Sequence, residues 1–149
     1  MRLHTVKHDR PHALWCGPAA LSALTGKPTS ECIRTICSAL KQPLGSKGLI
    51  GVTNTDMFYA LELLGYETEK VFDWDRSGVQ RRRTITLAEF VSRFRDCSDP
   101  FLVNTTGHYV VTKGARFVDS YQQRPKLVSK SYRRDSLRVH RAWAIRRMS

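Results

Sequence analysis

The sequence predicts an α+β protein, and three observations support this prediction. Apolar residues recur at helical spacing in the segments before residue 95. From residue 101 onward, short apolar runs alternate with turn residues, which is typical of strands in an antiparallel sheet. Helices followed by strands favour α+β over a parallel α/β sheet. With 149 residues, of which 41% are hydrophobic, the chain is long enough for one domain, residues 1–149.

Four helices are predicted, each with apolar residues along one face and a recognisable start or stop signal. The first is the most apolar, so we expect it to lie buried at the centre of the fold. Pro18 suits its first turn and Gly26 its end, because proline lacks an N–H group and glycine readily adopts a left-handed conformation. The predicted helices cover residues 16–25, about 30–40, about 55–64 and a segment that starts after Thr86.

Strands are predicted in three places. One follows the third helix, at about residues 67–74. In the tail, apolar residues alternate with polar or small ones at residues 137–145, which predicts a strand that closes the sheet. Between these two places lie three consecutive strands, and Lys113-Gly114 forms a tight turn between the last two. These three are predicted at residues 101–104, 108–112 and 116–120.

The charge distribution is strongly basic and uneven. The chain has 25 Lys and Arg residues against 13 Asp and Glu residues, which gives a net charge of +12. The C-terminal segment, residues 121–149, interleaves arginines with aromatic residues, so nucleic acid or an acidic partner is considered. A solvated surface or a positively charged sheet edge explains the same pattern. The candidate contact residues are Arg133, Arg134, Arg138 and Arg141, with a second basic cluster at Arg81, Arg82 and Arg83.

The four cysteines, Cys16, Cys32, Cys37 and Cys97, do not follow a disulfide or metal pattern. No C-x-x-C pair occurs, and a chain of this size and apolar content does not need disulfide bonds. We therefore expect reduced thiols, and no metal or cofactor. The uncharged run at residues 11–26 contains proline and glycine and is too short to span a bilayer. These observations predict a cytoplasmic protein without a membrane span.

Cys16 has the features of a nucleophile. It is predicted at a helix N-terminus, where free backbone N–H groups and the helix dipole favour the thiolate form. Gly17 follows it and allows a substrate to approach the backbone, whose N–H groups can hold an oxyanion. A cysteine at a helix start is more often a small buried residue than a nucleophile, so the interpretation also requires a base.

His108 and Asp119 supply the base and a residue that orients it. They lie on the two strands joined by the tight turn at Lys113-Gly114, nearly opposite each other, so their side chains can touch on one face. A carboxylate that accepts from one ring nitrogen fixes the imidazole tautomer and leaves the other nitrogen for Cys16. The sequence therefore predicts a Cys–His–Asp triad.

Three segments resemble the motifs of a known family. Their sequences are WCGPAAL at residues 15–21, GHYVV at residues 107–111 and VDS at residues 118–120. They resemble the nucleophile, His and Asp motifs of the bacteriocin-processing branch of the papain-like cysteine peptidase superfamily, and residues 51–65 are similar to its middle helix. The resemblance implies a papain-like fold, with the nucleophile helix packed on a C-terminal antiparallel sheet. It also implies thiol hydrolase activity on peptides with small residues before the cut.

The sequence departs from the family pattern at the oxyanion hole. Members usually have a glutamine shortly before the nucleophile, whereas residues 8–12 of this chain contain none. Such a donor contributes on the order of 3 kcal/mol in the transition state. The candidate substitutes are Arg10 and His12, and Gly17 stays an oxyanion or substrate candidate because a substrate can approach its backbone. A smaller departure is Ser120, which follows the aspartate where the family often has proline.

Two functions follow from these observations. The first is a cysteine peptidase acting on a peptide or protein. The sequence does not distinguish it from an acyltransferase or an amidase with the same triad. The second is a catalytically impaired papain-like fold that binds nucleic acid, a phage particle or a host factor through its basic surface. Small stand-alone members of the family are common in bacteria and bacteriophages. The resemblance therefore implies a bacterial or phage-infected cell, with the protein in the cytoplasm or in the virion.

Overall fold

Helices and strands follow the predicted order in the computed structural model, which describes residues 1–9, 14–40, 52–74, 84–130 and 137–149. The helices are α1 (Cys16–Thr25), α2 (Thr29–Leu40), α3 (Asn54–Leu63) and α4 (Leu87–Arg93). The strands are β1 (Tyr66–Asp73), β2 (Ile85–Thr86), β3 (Phe101–Thr105), β4 (His108–Lys113), β5 (Arg116–Val118), β6 (Lys126–Leu127) and β7 (Arg138–Arg147). The short strands β2 and β6, of two residues each, are the ones that the sequence does not predict.

All the described strands join one antiparallel sheet, which confirms the α+β class. Its order is β1-β7-β3-β4-β5-β6, and β2 pairs with the beginning of β7. The last strand, β7, therefore lies inside the sheet between β1 and β3, where Ala144 pairs with Glu69 on one side and Phe101 on the other. The expectation of a charged sheet edge is wrong for β7, because both of its backbone ladders are occupied.

The sheet separates two apolar clusters, because side chains alternate between its faces. Helices α1, α2 and α3 cover one face, where Leu102, Val111 and Ile145 are buried. Helix α4 covers the other face, where Val103 and Val110 are buried. Burying a side chain of this size contributes roughly 1.5–3 kcal/mol, so the alternation holds both layers on the sheet. Helix α1 is buried along nearly its whole length and packs on β4.

Local signals determine where the helices begin and end. Gly26 ends α1 in a left-handed conformation, with φ of 77°, and its N–H donates to the carbonyl oxygen of Ser22 at 2.8 Å. A Cβ at this position would lie 3.0 Å from the His4 imidazole, so packing and backbone conformation both favour glycine. Thr86 caps α4 as predicted, because its Oγ1 accepts from the N–H of Glu89.

An acidic residue of the N-terminal segment caps α2. The Asp9 carboxylate accepts from the Ser30 N–H at 2.9 Å, from Ser30 Oγ at 2.5 Å and from Thr29 Oγ1 at 3.2 Å. The bonds from Ser30, followed by the one from Thr29, lower the pKa of Asp9 to about 2. This capping residue ties residues 1–9 to the start of α2.

We predict that Asp9→Ala lowers the free energy of unfolding by about 1 kcal/mol, because α2 loses its cap. The pKa of Asp9 lies below its ordinary value of 3.8, so the stabilisation is fully present above that value and is lost as the pH falls through about 2. Urea unfolding of both proteins at several pH values measures this difference. Asp96→Ala, which removes an exposed carboxylate, is the matched control. An equal loss in the two variants would contradict the prediction.

Candidate active site

The start of α1 places Cys16 at the edge of a cleft. Trp15 is the N-cap residue and has an extended backbone, so the helix begins at the cysteine itself. The N–H groups of a first helical turn have no acceptor within the helix, and with the helix dipole they favour negative charge there. Because α1 packs on β4, the thiol lies beside the side chain of His108 and the backbone N–H of Tyr109, and both lower its pKa.

The hairpin of β4 and β5 brings His108 and Asp119 together. Its register pairs Val111 with Val118, and its turn is formed by residues 114–115, one residue later than predicted. His108 therefore lies diagonally across from Asp119 and on the same face, rather than nearly opposite as expected. The two side chains touch as predicted, because Nε2 of the imidazole and Oδ2 of the carboxylate are 3.1 Å apart.

Asp119 is held by the turn that follows β5. Its Oδ1 accepts the N–H of Tyr121 at 2.9 Å and the N–H of Gln122 at 2.6 Å. The residue is only 1% exposed, so water does not compete for these bonds. With Oδ1 held by the backbone, Oδ2 orients the His108 ring and leaves its Nδ1 for the thiol. The Tyr121 ring packs beside the imidazole, with ring centroids 5.6 Å apart.

Cys16 and His108 have the electrostatics of a thiolate–imidazolium pair. Burial opposes the charged form of His108, but the hydrogen bonds and charges of Asp119 and Cys16 together raise its pKa to about 9. Burial also opposes the Cys16 thiolate, yet bonds from His108 and the Tyr109 N–H, with the His108 charge, lower the pKa of the thiol. Both shifts favour the thiolate–imidazolium form of the pair over the neutral form, and the thiolate is the reactive form of a cysteine nucleophile.

Cys32 and Cys37 have the opposite character. All four cysteines are free, and these two are buried in α2. Burial raises the pKa of Cys32 to about 12 and also raises that of Cys37. They are therefore core thiols, which are protonated and unreactive at neutral pH.

A cleft of about 420 Å³ opens beside the triad, and its described lining is uncharged apart from the ion pair. Sequence reasoning missed several lining residues, among them Asn54 and Tyr109, whose side chains meet across 55 positions of sequence. The capping box at Thr53 is the local signal that places Asn54 in the first turn of α3. The cleft is lined by Cys16, Val52, Thr53, Asn54, Asn104, Gly107, His108 and Tyr109.

Of the oxyanion candidates from the sequence, Gly17 is the one that lies among the described residues, and it is not part of the described lining of the cleft. Gly17 is buried in α1, and a Cβ there would lie 3.3 Å from the Val52 side chain, so its lack of a side chain serves packing. Arg10 and His12 lie outside the described residues.

Two of the candidate nucleic-acid contact residues, Arg138 and Arg141, lie among the described residues. Arg138 donates from Nε to Thr84 Oγ1 at 3.0 Å, and Arg141 pairs with Asp73 at 3.5 Å. Both arginines therefore contact groups of the sheet and its neighbouring segment. The other basic candidates, Arg81, Arg82, Arg83, Arg133 and Arg134, lie outside the described residues.

The triad is the constellation of chemically reactive side chains that the described residues bring together. Within the described ranges, no helix has both the length and the apolar character needed to cross a bilayer. Nor do three or more His, Cys, Asp or Glu side chains cluster as metal ligands in that part of the chain. No protein-family model matches the chain, and no curated protein matches its sequence.

We predict that iodoacetamide alkylates Cys16 rapidly at neutral and mildly acidic pH, well below the free-thiol pKa of about 8.5. Peptide mass spectrometry separates Cys16 from Cys32, whose raised pKa makes it the internal control. In His108→Ala the rate at pH 6 should fall about tenfold or more and recover only as the pH approaches the pKa of a free thiol. Equal rates in the two proteins would argue against the ion pair.

Asp119→Asn tests the source of the raised His108 pKa. The amide keeps an oxygen for the N–H groups of Tyr121 and Gln122 but loses the negative charge. We therefore expect the pKa of His108 to fall from about 9 by about 1–2 units, which lowers the upper pH limit of the ion pair. An NMR titration of the His108 ring protons measures this value, and Asp96→Asn is the control. An unchanged His108 pKa in Asp119→Asn would refute this assignment.

Proposed function

We propose that the protein is a papain-like thiol hydrolase that cleaves a peptide or amide bond through Cys16, His108 and Asp119. One observation carries the proposal: α1, β4 and the turn after β5 bring these three side chains together. The His108 imidazole lies 3.1 Å from the Asp119 carboxylate, and His108 and Cys16 line the same cleft and shift each other's pKa. A thiol beside an imidazole that is bonded to a buried carboxylate is an arrangement for nucleophilic catalysis. The motif resemblance supports the same reading, and the free thiols suit a reducing compartment such as a bacterial or phage-infected cytoplasm.

The mechanism starts with the ion pair already formed. The Cys16 thiolate attacks the carbonyl carbon, the C=O electron pair moves to oxygen, and the Cys16 backbone N–H donates to that oxyanion. The His108 imidazolium gives its proton to the leaving nitrogen as the C–N bond breaks. Water, deprotonated by His108, then hydrolyses the thioester and restores the ion pair. Asp119 stays ionised and holds the ring throughout.

The cleft supports a peptide or protein substrate. Its described lining offers carboxamide, hydroxyl and backbone groups without a fixed charge beyond the ion pair, which suits an uncharged stretch of polypeptide. The motif resemblance adds a preference for small residues before the cut. An acyltransferase or an amidase shares the first step and differs in which nucleophile accepts the acyl group from Cys16.

The alternative, a basic protein that binds nucleic acid or an acidic partner, has less support among the described residues. Arg138 and Arg141 contact their own chain, and Arg146 pairs with Glu69 and with Asp99. Charges that are paired within the fold contribute less to an anion-binding surface. A binding function also gives no role to a thiolate–imidazolium pair in a cleft.

We predict that Cys16→Ala abolishes cleavage, with a loss of at least about 1,000-fold in kcat/KM. Incubation with a mixture of unrelated peptides, followed by mass spectrometry, identifies the cleaved bond and its rate. Circular dichroism and the Tm of the variant should match the wild-type protein, because the thiol is only half-buried. Cys97→Ala, which removes a half-buried thiol outside the cleft, is the control and should keep full activity. Cleavage that persists in Cys16→Ala would exclude the proposed nucleophile.

A further inference from the structure

The proposed reaction places a negative charge on the carbonyl oxygen of the substrate. The Cys16 backbone N–H alone would stabilise this oxyanion only weakly. Each oxyanion donor typically contributes about 100–1,000-fold to the rate. The glutamine expected from the motif resemblance is missing ahead of Cys16. The described lining of the cleft contains two side-chain amides that can donate, those of Asn54 and Asn104.

Asn54 is the amide whose orientation is held by a hydrogen bond from a second lining residue, Tyr109. The Tyr109 hydroxyl donates to Asn54 Oδ1 at 2.5 Å, whereas its other acceptor, the Val52 carbonyl oxygen, is 3.5 Å away. An amide whose oxygen is held in this way turns its NH₂ group to the other side. Within the described residues this NH₂ group has no acceptor, so it is available to a ligand in the cleft.

Tyr109 is well suited to hold this amide. The residue is 4% exposed and follows His108 on β4, and its backbone N–H lies beside the Cys16 thiol, whose pKa it lowers. Burial, together with the negative charges of Cys16 and Asp56, raises the pKa of Tyr109, so the hydroxyl stays protonated and donates. The same residue therefore contacts the nucleophile through its backbone and Asn54 through its side chain.

We propose that Asn54 Nδ2 donates a hydrogen bond to the oxyanion formed at Cys16, in place of the missing glutamine, and that Tyr109 Oη positions it. The inference deepens the proposed function and rests on it. The thiolate forms the C–S bond while the C=O electron pair moves to oxygen, and Asn54 neither gives nor takes a proton. Its hydrogen bond strengthens as the charge on that oxygen develops, so it accelerates acylation rather than binding.

Two reagents separate this role from the reactivity of the thiolate. p-Nitrophenyl acetate acylates Cys16 through a tetrahedral oxyanion, which collapses and expels p-nitrophenolate, a coloured product. Iodoacetamide alkylates the same thiolate by direct displacement of iodide, and no oxyanion forms. Both rates are measured on the full chain at one pH, with peptide mass spectrometry to assign the modified cysteine. The ratio of acylation to alkylation then reports the oxyanion hole alone.

We expect Asn54→Ala to lower the acylation rate about 100-fold and to leave the alkylation rate unchanged. Tyr109→Phe removes only the hydroxyl and should lower acylation about tenfold, because the amide is no longer held in place. Asn54→Asp keeps the shape but replaces the NH₂ group with an oxygen, so its loss in acylation should at least equal that of Asn54→Ala. Thr55→Ala, at an exposed neighbour in α3, is the matched control and should leave both rates unchanged.

Three outcomes are informative beyond the expected one. Acylation that changes less than about threefold in Asn54→Ala and Asn54→Asp overturns the inference. A parallel loss of both reactions overturns it as well, because the residue then supports the thiolate or the fold. Failure of the proposed function looks different, since wild-type Cys16 would react with p-nitrophenyl acetate no faster than a small free thiol, and the role of Asn54 would fall with it.

Discussion

The buried hydrogen bond between Asp119 and His108 is the interaction on which the rest of the site depends. A buried carboxylate is costly unless its oxygens are satisfied, and here two backbone N–H groups and the imidazole satisfy them. A one-residue slip of the hairpin would turn one of the two side chains to the opposite face, so the pair also ties the site to one register. The oriented ring, whose pKa is raised, in turn favours the thiolate form of Cys16.

The sheet and α1 provide the support that this pair needs. β4, the strand that carries His108, lies inside the sheet between β3 and β5, and β3 pairs in turn with β7. The buried helix α1 packs on β4 and so holds Cys16, its first residue, beside the His108 imidazole. Although the net charge of the chain is +12, the described lining of the cleft contains no lysine or arginine. Two arginines of β7, Arg141 and Arg146, pair with acidic residues elsewhere on the sheet and its loops.

Much of the fold and the triad was predictable because their signals are local. Gly26 ends α1 and Thr86 starts α4 through bonds that span three or four residues, and the alternation of apolar residues reports strands directly. His108 and Asp119 belong to one hairpin, so counting from its turn predicts their contact. The turn lies one residue later than predicted, which moves the pairing by two positions and leaves both side chains on the same face.

The sequence by itself determined the helices, the main strands and the three residues that meet in the triad, because spacing and turn chemistry act over a few residues. Only the tertiary structure decided that β7 lies inside the sheet, that Gly17 packs against Val52, and that Tyr109 reaches Asn54 across 55 positions. These contacts depend on which distant surfaces bury the most apolar area when they pack together, and no local pattern encodes that choice.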